Sequence, residues 1–154
     1  MKELVSMNWS IKHFNELSGL EVYEIIKLRT DVFVVEQQSI YSDCDNKDLD
    51  AFHLQLRDEQ GRLLGYLRML DQGVSYPCYS IGRVIISPQL RGTGYGVQLV
   101  SRGIQFIKEH WEGKQITISA QQHLVAFYGQ VGFKQESEPY IEDGIPHVKM
   151  SVYL

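Results

Sequence analysis

The chain has 154 residues, and its 19 Asp and Glu outnumber its 15 Lys and Arg to leave a formal net charge of −4. That balance excludes broad attraction to nucleic acid or to an anionic membrane surface, and no apolar run reaches the length of a membrane span. The length suits one domain over residues 1–154, able to bury roughly 70% of its unfolded surface.

Residues 1–4 lack the apolar core of a secretory leader, so the reading places the protein in the cytoplasm, with Cys44 and Cys78 as reduced thiols. Asn8 to Phe14 reads as a first strand with Trp9, Ile11 and His13 on one side. Ser18 and Glu21 form a capping box. It opens a helix over Leu20 to Val35 whose far end Thr30, Val32, Val34 and Val35 weaken. Val22, Ile25, Ile26, Arg29, Val32 and Phe33 make its apolar stripe, with one basic break.

The run Asp43, Asp45, Asp48 and Asp50 fails as a calcium loop. Asp48 stands where the sharp turn needs glycine, and Leu54 replaces the closing glutamate. It is expected to be a solvated loop or an acidic rim that draws a cationic amine. Ala51 to Arg57 and Leu63 to Leu70 read as an antiparallel hairpin about Asp58-Glu59-Gln60-Gly61.

Ser75 to Tyr79 leads into a central strand, Ile81 to Ile86, which stops at Ser87-Pro88. Gly92, Gly94 and Gly96 follow, then a helix with Val97, Val100, Ile104, Ile107 and Trp111 on one face. Strand, glycine turn and helix start build a cradle for phosphate: first-turn N–H groups are unpaired, the dipole favours an anion, and glycine permits close approach. No Lys-Ser or Lys-Thr follows the glycines, which excludes a P-loop. The dinucleotide fingerprint fits partly, and Glu112 precedes the strand Gln115 to Ala120 where that fingerprint needs an acid after it. Leu124 to Gln130 is a short helix with Gly132 as its C-cap. Phe133 to Tyr140 and His147 to Tyr153 complete a mixed sheet with helices on both faces.

Two blocks, Gln89-Leu90-Arg91-Gly92-Thr93-Gly94 and Ala126-Phe127-Tyr128-Gly129-Gln130-Val131-Gly132-Phe133, together resemble the GNAT superfamily of N-acetyltransferases. Val32 to Gln37 and Glu142 to His147 further resemble its ElaA-like branch, so the resemblance spans nearly the whole chain. It implies an α/β (α+β) domain: a mixed, largely antiparallel sheet flanked by helices, with splayed central parallel strands. It implies acetyl-CoA as co-substrate, no metal, and acetyl transfer to a primary amine by direct attack, which needs no covalent thiol from Cys44 or Cys78.

The same resemblance assigns residues. The pyrophosphate would sit on the amides of Arg91, Gly92, Thr93, Gly94, Tyr95 and Gly96, with the Arg91 side chain adding charge. Pantetheine would lie between the strands through Val84, Ile85 and Ile86 and through Gln115 to Ala120, with an N–H near Ile86 meeting the developing oxyanion. Gln89 supports the turn, and His123 is a helix-start or cofactor-adjacent residue. Tyr128 matches the tyrosine that protonates the departing thiolate, a thiol near 8.5 and a phenol near 10 being within reach of one another. Its alternative is packing beside Phe127 with the hydroxyl satisfied elsewhere. Glu36, His53, Glu142 and His147 stay open as bases or acceptor-site residues, as does a water chain. The acceptor is a small-molecule or peptide amine, and a homodimer is left open. A reading from another class, an idle acyl-CoA sensor or partner-binding domain, would use the same cradle.

Overall fold

Alternation along the middle strands gives one sheet two chemically different faces. Strands β2 (Phe52–Arg57) and β3 (Leu63–Leu70) pair antiparallel, with Leu54 opposite Leu67, His53 opposite Arg68 and Gln55 opposite Tyr66. Because side chains alternate along a strand, Leu54, Leu67 and Met69 share one face, and His53, Gln55, Tyr66 and Arg68 the other. A computed structural model describes residues 6–154, so the leader reading of residues 1–4 lies outside the described residues.

Strand β1 (Asn8–His13) borders β2. Strand β4 (Tyr79–Ile86) runs antiparallel to β3, with a register shift between Tyr66 and Arg68. Strand β5 (Gln115–Gln121) is parallel to β4 but meets it only at Tyr79–Ile116 and Ser80–Thr117. Beyond those two pairs the strands part. The late short strands β6 (Lys134–Gln135) and β7 (Tyr140–Glu142) both pair with β8 (Ile145–Tyr153), which also pairs with β5 along its length. The product is a mixed, mostly antiparallel sheet in the order β1-β2-β3-β4-β5-β8-β6, with β7 on β8.

Helix α1 (Gly19–Arg29) starts at the expected capping box: the Ser18 hydroxyl accepts from the Glu21 N–H at 3.1 Å, and the Glu21 carboxylate accepts from the Ser18 N–H at 2.9 Å. The expected helix to Val35 is corrected in its second half. The α-form ends at Arg29, and the β-branched run continues as a wider π-helical turn, Thr30–Glu36. This element covers the polar face, where Glu21 accepts from the Gln55 amide at 2.9 Å and the Arg29 guanidinium lies 5.9 Å from the centre of the Tyr66 ring.

The apolar face is packed by α2 (Tyr95–His110) and α3 (Val125–Gln130). On α2 the stripe is centred on Leu99, Val100, Gly103 and Ile107, with Val97 and Ile104 at its margins. Gly103 permits this close approach, since a Cβ there would lie 3.2–3.3 Å from Ile81 and Leu67 side chains. No helix among the described residues is long and apolar enough to cross a membrane.

The acidic loop is not the solvated rim expected from its composition. Arg29, fully buried, donates to the Asp43 and Asp48 carboxylates at 2.7 Å each and to the Asp43 carbonyl at 3.0 Å. Arg68 donates to both Asp45 oxygens at 2.8 and 2.7 Å and to Asp48 at 3.0 Å, and Arg83 donates to Asp43 at 2.8 Å. Three aspartates therefore balance three arginines beneath α1, while Asp50 stays on the surface. Burial pushes the Asp45 and Asp48 carboxyls up, but the arginine contacts outweigh it and hold both below the usual carboxylate range, Asp45 well below.

Candidate active site

Where β4 and β5 part, a cavity of about 720 Å³ opens. The β4 edge from Ile81 to Ile86 forms one wall, Ile118 and Ser119 of β5 the other, and Phe33 and Glu36 of the π-helical turn the roof. Beyond Ser80 the β4 backbone has no β5 partner, so the polar groups on that edge lack a strand partner, while the other edge pairs with β3.

At one end stands the glycine turn. Gly92 and Gly94 have φ of +78° and +88°, the left-handed region that a side chain strains, and a Cβ at either would meet nothing within 4 Å. Gly94 is the N-cap of α2, and no side chain caps that helix. The N–H groups of its first turn are therefore free for an anion. Gly96 serves packing instead, because a Cβ there would lie 3.1 Å from the Phe127 ring; its absence lets α3 pack on the start of α2. The Arg91 guanidinium donates to both Glu36 carboxylate oxygens at 2.9 and 3.1 Å and to the Ile86 carbonyl at 3.2 Å.

The structure places Val84, Ile85, Ile86, Arg91, Gly92, Gly94, Gly96, His123 and Tyr128 on the cavity wall. Gln89, Thr93 and Tyr95 are not on it. Gln89 sits in the short turn Pro88–Leu90, the Thr93 hydroxyl donates to the Leu90 carbonyl, and Tyr95 faces Trp9.

Tyr128 is set by the sequence that follows it. The Phe133 N–H donates to the Tyr128 carbonyl at 3.1 Å and the Gly132 N–H to the Gly129 carbonyl at 3.1 Å, with Gly132 at φ +101°. This is a Schellman stop, and its usual apolar contact is the Phe133 ring edge-on to Tyr128 at 5.9 Å. Only 7% of Tyr128 is exposed. Its hydroxyl bonds no group among the described residues, and its oxygen keeps some exposure on the cavity wall, unlike the sealed and unpartnered Arg68 Nε. Burial raises the phenol pKa, so it keeps its proton.

At the other end, the β7–β8 turn brings Glu142, Asp143 and His147 to the cavity. His147 Nδ1 lies 2.7 Å from the Ile145 carbonyl, which can only accept, so Nδ1 carries the hydrogen and the neutral ring has its lone pair on Nε2. Nε2 is 3.5 Å from the Glu142 carboxylate, whose other oxygen accepts from the Ser119 hydroxyl at 3.1 Å. The pair can take a proton on Nε2 and stabilise the resulting imidazolium.

His53 is separated from this group. It lies 1% exposed under α1, its Nδ1 2.6 Å from the Tyr66 hydroxyl and its Nε2 3.0 Å from the Asp48 carbonyl, and burial lowers its pKa. It is a core histidine with both nitrogens used, which corrects its candidacy as a base.

Sequence reasoning missed three features of the cleft. Gln37 and Gln121 exchange two amide hydrogen bonds of 3.1 Å across it. The Ser39 hydroxyl donates to the Asp143 carbonyl at 2.7 Å. Arg83 lines the wall at φ +55°, with its guanidinium 5.8 Å from the Tyr41 ring centre. Its signal was a basic residue inside an apolar strand.

Residues 23–154 match the family model described as an acetyltransferase (GNAT) domain. A UPF0039 protein of Schizosaccharomyces pombe is 39% identical over 150 residues, which cover 97% of this chain and 99% of the relative. The crystal structure of Escherichia coli ElaA is similar to this one with a TM-score of 0.89 at 38% identity, covering 96% of this chain and 99% of that one. An acyl-CoA N-acyltransferase from Pseudomonas aeruginosa has a TM-score of 0.89 at 42% identity, again covering 96% of this chain and 99% of its own.

Proposed function

The chain belongs to the GNAT acetyltransferase family, and from that premise we propose that it moves an acetyl group from acetyl-CoA to a primary amine by direct attack in the cleft between β4 and β5. The family's chemistry is acyl transfer from a thioester, and the residues here fit the co-substrate. The open glycine turn and the uncapped start of α2 suit its diphosphate, Arg91 adds charge beside them, and the unpaired β4 edge suits its amide-bearing arm.

Each proton then has a place. His147 Nε2 takes one from the amine, and Glu142 stabilises the imidazolium so formed. A backbone N–H near Ile86 faces the oxyanion. The Tyr128 hydroxyl gives its proton to the departing sulfur, and solvent restores both side chains. Burial raises the Tyr128 phenol, which keeps it protonated and able to donate.

The observation that carries this reading is the unpartnered Tyr128 hydroxyl on the wall of the cavity. A pure acyl-CoA sensor has no use for it. The test is release of free thiol from acetyl-CoA across a panel of primary amines: small metabolites, polyamines, aminoglycosides, lysine and peptide N-termini. Turnover with at least one amine is expected. Tight acetyl-CoA binding without thiol release on any of them would return the chain to the sensor reading.

A further inference from the structure

We propose that the Glu36–Arg91 ion pair is a latch across the cleft which the co-substrate's diphosphate opens, freeing the Glu36 carboxylate to receive the acceptor's ammonium. The inference rests on the acyl-CoA reading of the cleft.

Arg91 is the cation at the phosphate end, yet both arms of its guanidinium fork are already occupied. Nη1 and Nη2 hold the two Glu36 oxygens at 2.9 and 3.1 Å, and Nε holds the Ile86 carbonyl at 3.2 Å. A diphosphate needs the same fork, so carboxylate and phosphate compete for one set of donors. The competition favours the phosphate: the ion pair is 45% and 44% exposed, and half-exposed pairs are weak.

Glu36 ends the π-helical turn, and the next residues cross the cavity. Gln37 pairs with Gln121 and Ser39 with Asp143, while Gln38 makes the bend at φ +52°. Those crossings are neutral, which leaves Glu36–Arg91 as the charged fastening of the strap among the described residues. Once Arg91 turns to phosphate, Glu36 is left unpaired on the wall of the same cavity that Glu142 and Asp143 line. Arg83 offers no compensation, because Asp43 and Asp45 already hold it. The acceptor side thus gains one uncompensated negative charge when the co-substrate binds, and an ammonium binds better to the loaded protein than to the empty one. Reciprocal coupling between the two sites follows.

The latch can be tested without knowing the acceptor, by calorimetric titration of CoA into the parent, Glu36→Gln, Arg91→Gln and the double variant. Glu36→Gln should tighten CoA about two- to fivefold, the scale of a half-exposed ion pair, and leave pantetheine, which has no diphosphate, unchanged. In the Arg91→Gln background the Glu36→Gln gain should vanish, as a double-mutant cycle requires of a direct pair. Unchanged or weaker CoA binding by Glu36→Gln overturns the latch. So does a gain that persists without Arg91, which would mean simple charge repulsion. A folded parent that fails to bind CoA at all overturns the acyl-CoA reading, and the latch falls with it.

Discussion

Arg29→Met is the sharpest test of how the acidic loop is held beneath α1. The substitution keeps much of the side-chain volume and removes the guanidinium, which donates at 2.7 Å to Asp43, at 2.7 Å to Asp48 and at 3.0 Å to the Asp43 carbonyl. Asp43 would keep Arg83, and Asp48 would keep Arg68, but the cluster would pass from three charges of each sign to an excess of one carboxylate in a nearly dry site. Breaking a buried pair by removing one partner costs about 3–5 kcal/mol. For a chain of this length that corresponds to a fall in Tm of roughly 10–15 °C. Urea melts at pH 7 read it directly. Arg29→Met combined with Asp48→Asn should recover part of the loss, because it removes the stranded charge. A loss below about 1 kcal/mol, or a double variant no better than the single, would refute the balanced-cluster account.

The remaining predictions concern the cleft and acid stability. Gly94→Val places a branched residue at φ +88°, which costs stability, and fills the open space over the turn where the diphosphate would approach, which should weaken CoA binding about tenfold or more; unchanged affinity in a folded variant refutes the cradle. His147→Gln should lower kcat roughly 10²-fold with little change in acetyl-CoA affinity; a kcat equal to the parent's removes it as base. Glu21 is pushed up by burial, but its bonds to the Ser18 N–H, Gln55 and Lys12 outweigh this and hold it at about 2, against an ordinary 4.5. A depressed carboxyl contributes stability that is present above its unfolded pKa and lost as pH falls through the folded one. The urea midpoint should therefore fall between about pH 4.5 and 2, and Glu21→Gln should lessen that slope. A slope unchanged by the substitution contradicts the assignment.

The parts legible in the sequence were those decided over a few residues. The capping box at Ser18 and Glu21, the hairpin about Gly61 and the glycine turn before α2 each follow from local backbone chemistry. So does the setting of Tyr128, since Gly132 and Phe133 stop its helix and pack against its ring. What escaped was decided between distant segments. Arg29 meets partners 14 and 19 residues away and Arg83 meets Asp43 from 40 away, so an acidic run that reads as solvated becomes a neutral core. Arg29 left one trace, the basic break in an apolar stripe. His53 misled for a related reason: alternation puts it on the polar face of the sheet, and α1 then buries that face. The π-helical turn was half-visible, because β-branched residues weaken an α-helix without saying what replaces it.

The central claim is that this cleft transfers an acyl group with Tyr128 as the acid. Its most direct test is the turnover of Tyr128→Phe with an amine that the parent acetylates, followed by thiol release, beside the acetyl-CoA affinity of both proteins. Phenylalanine keeps the ring and its packing on Phe133, so the hydroxyl alone is removed. The account predicts a fall in kcat on the order of 10²-fold. Acetyl-CoA affinity should change by no more than about fivefold, the scale of one neutral hydrogen bond. Turnover equal to the parent's would contradict it and return Tyr128 to packing.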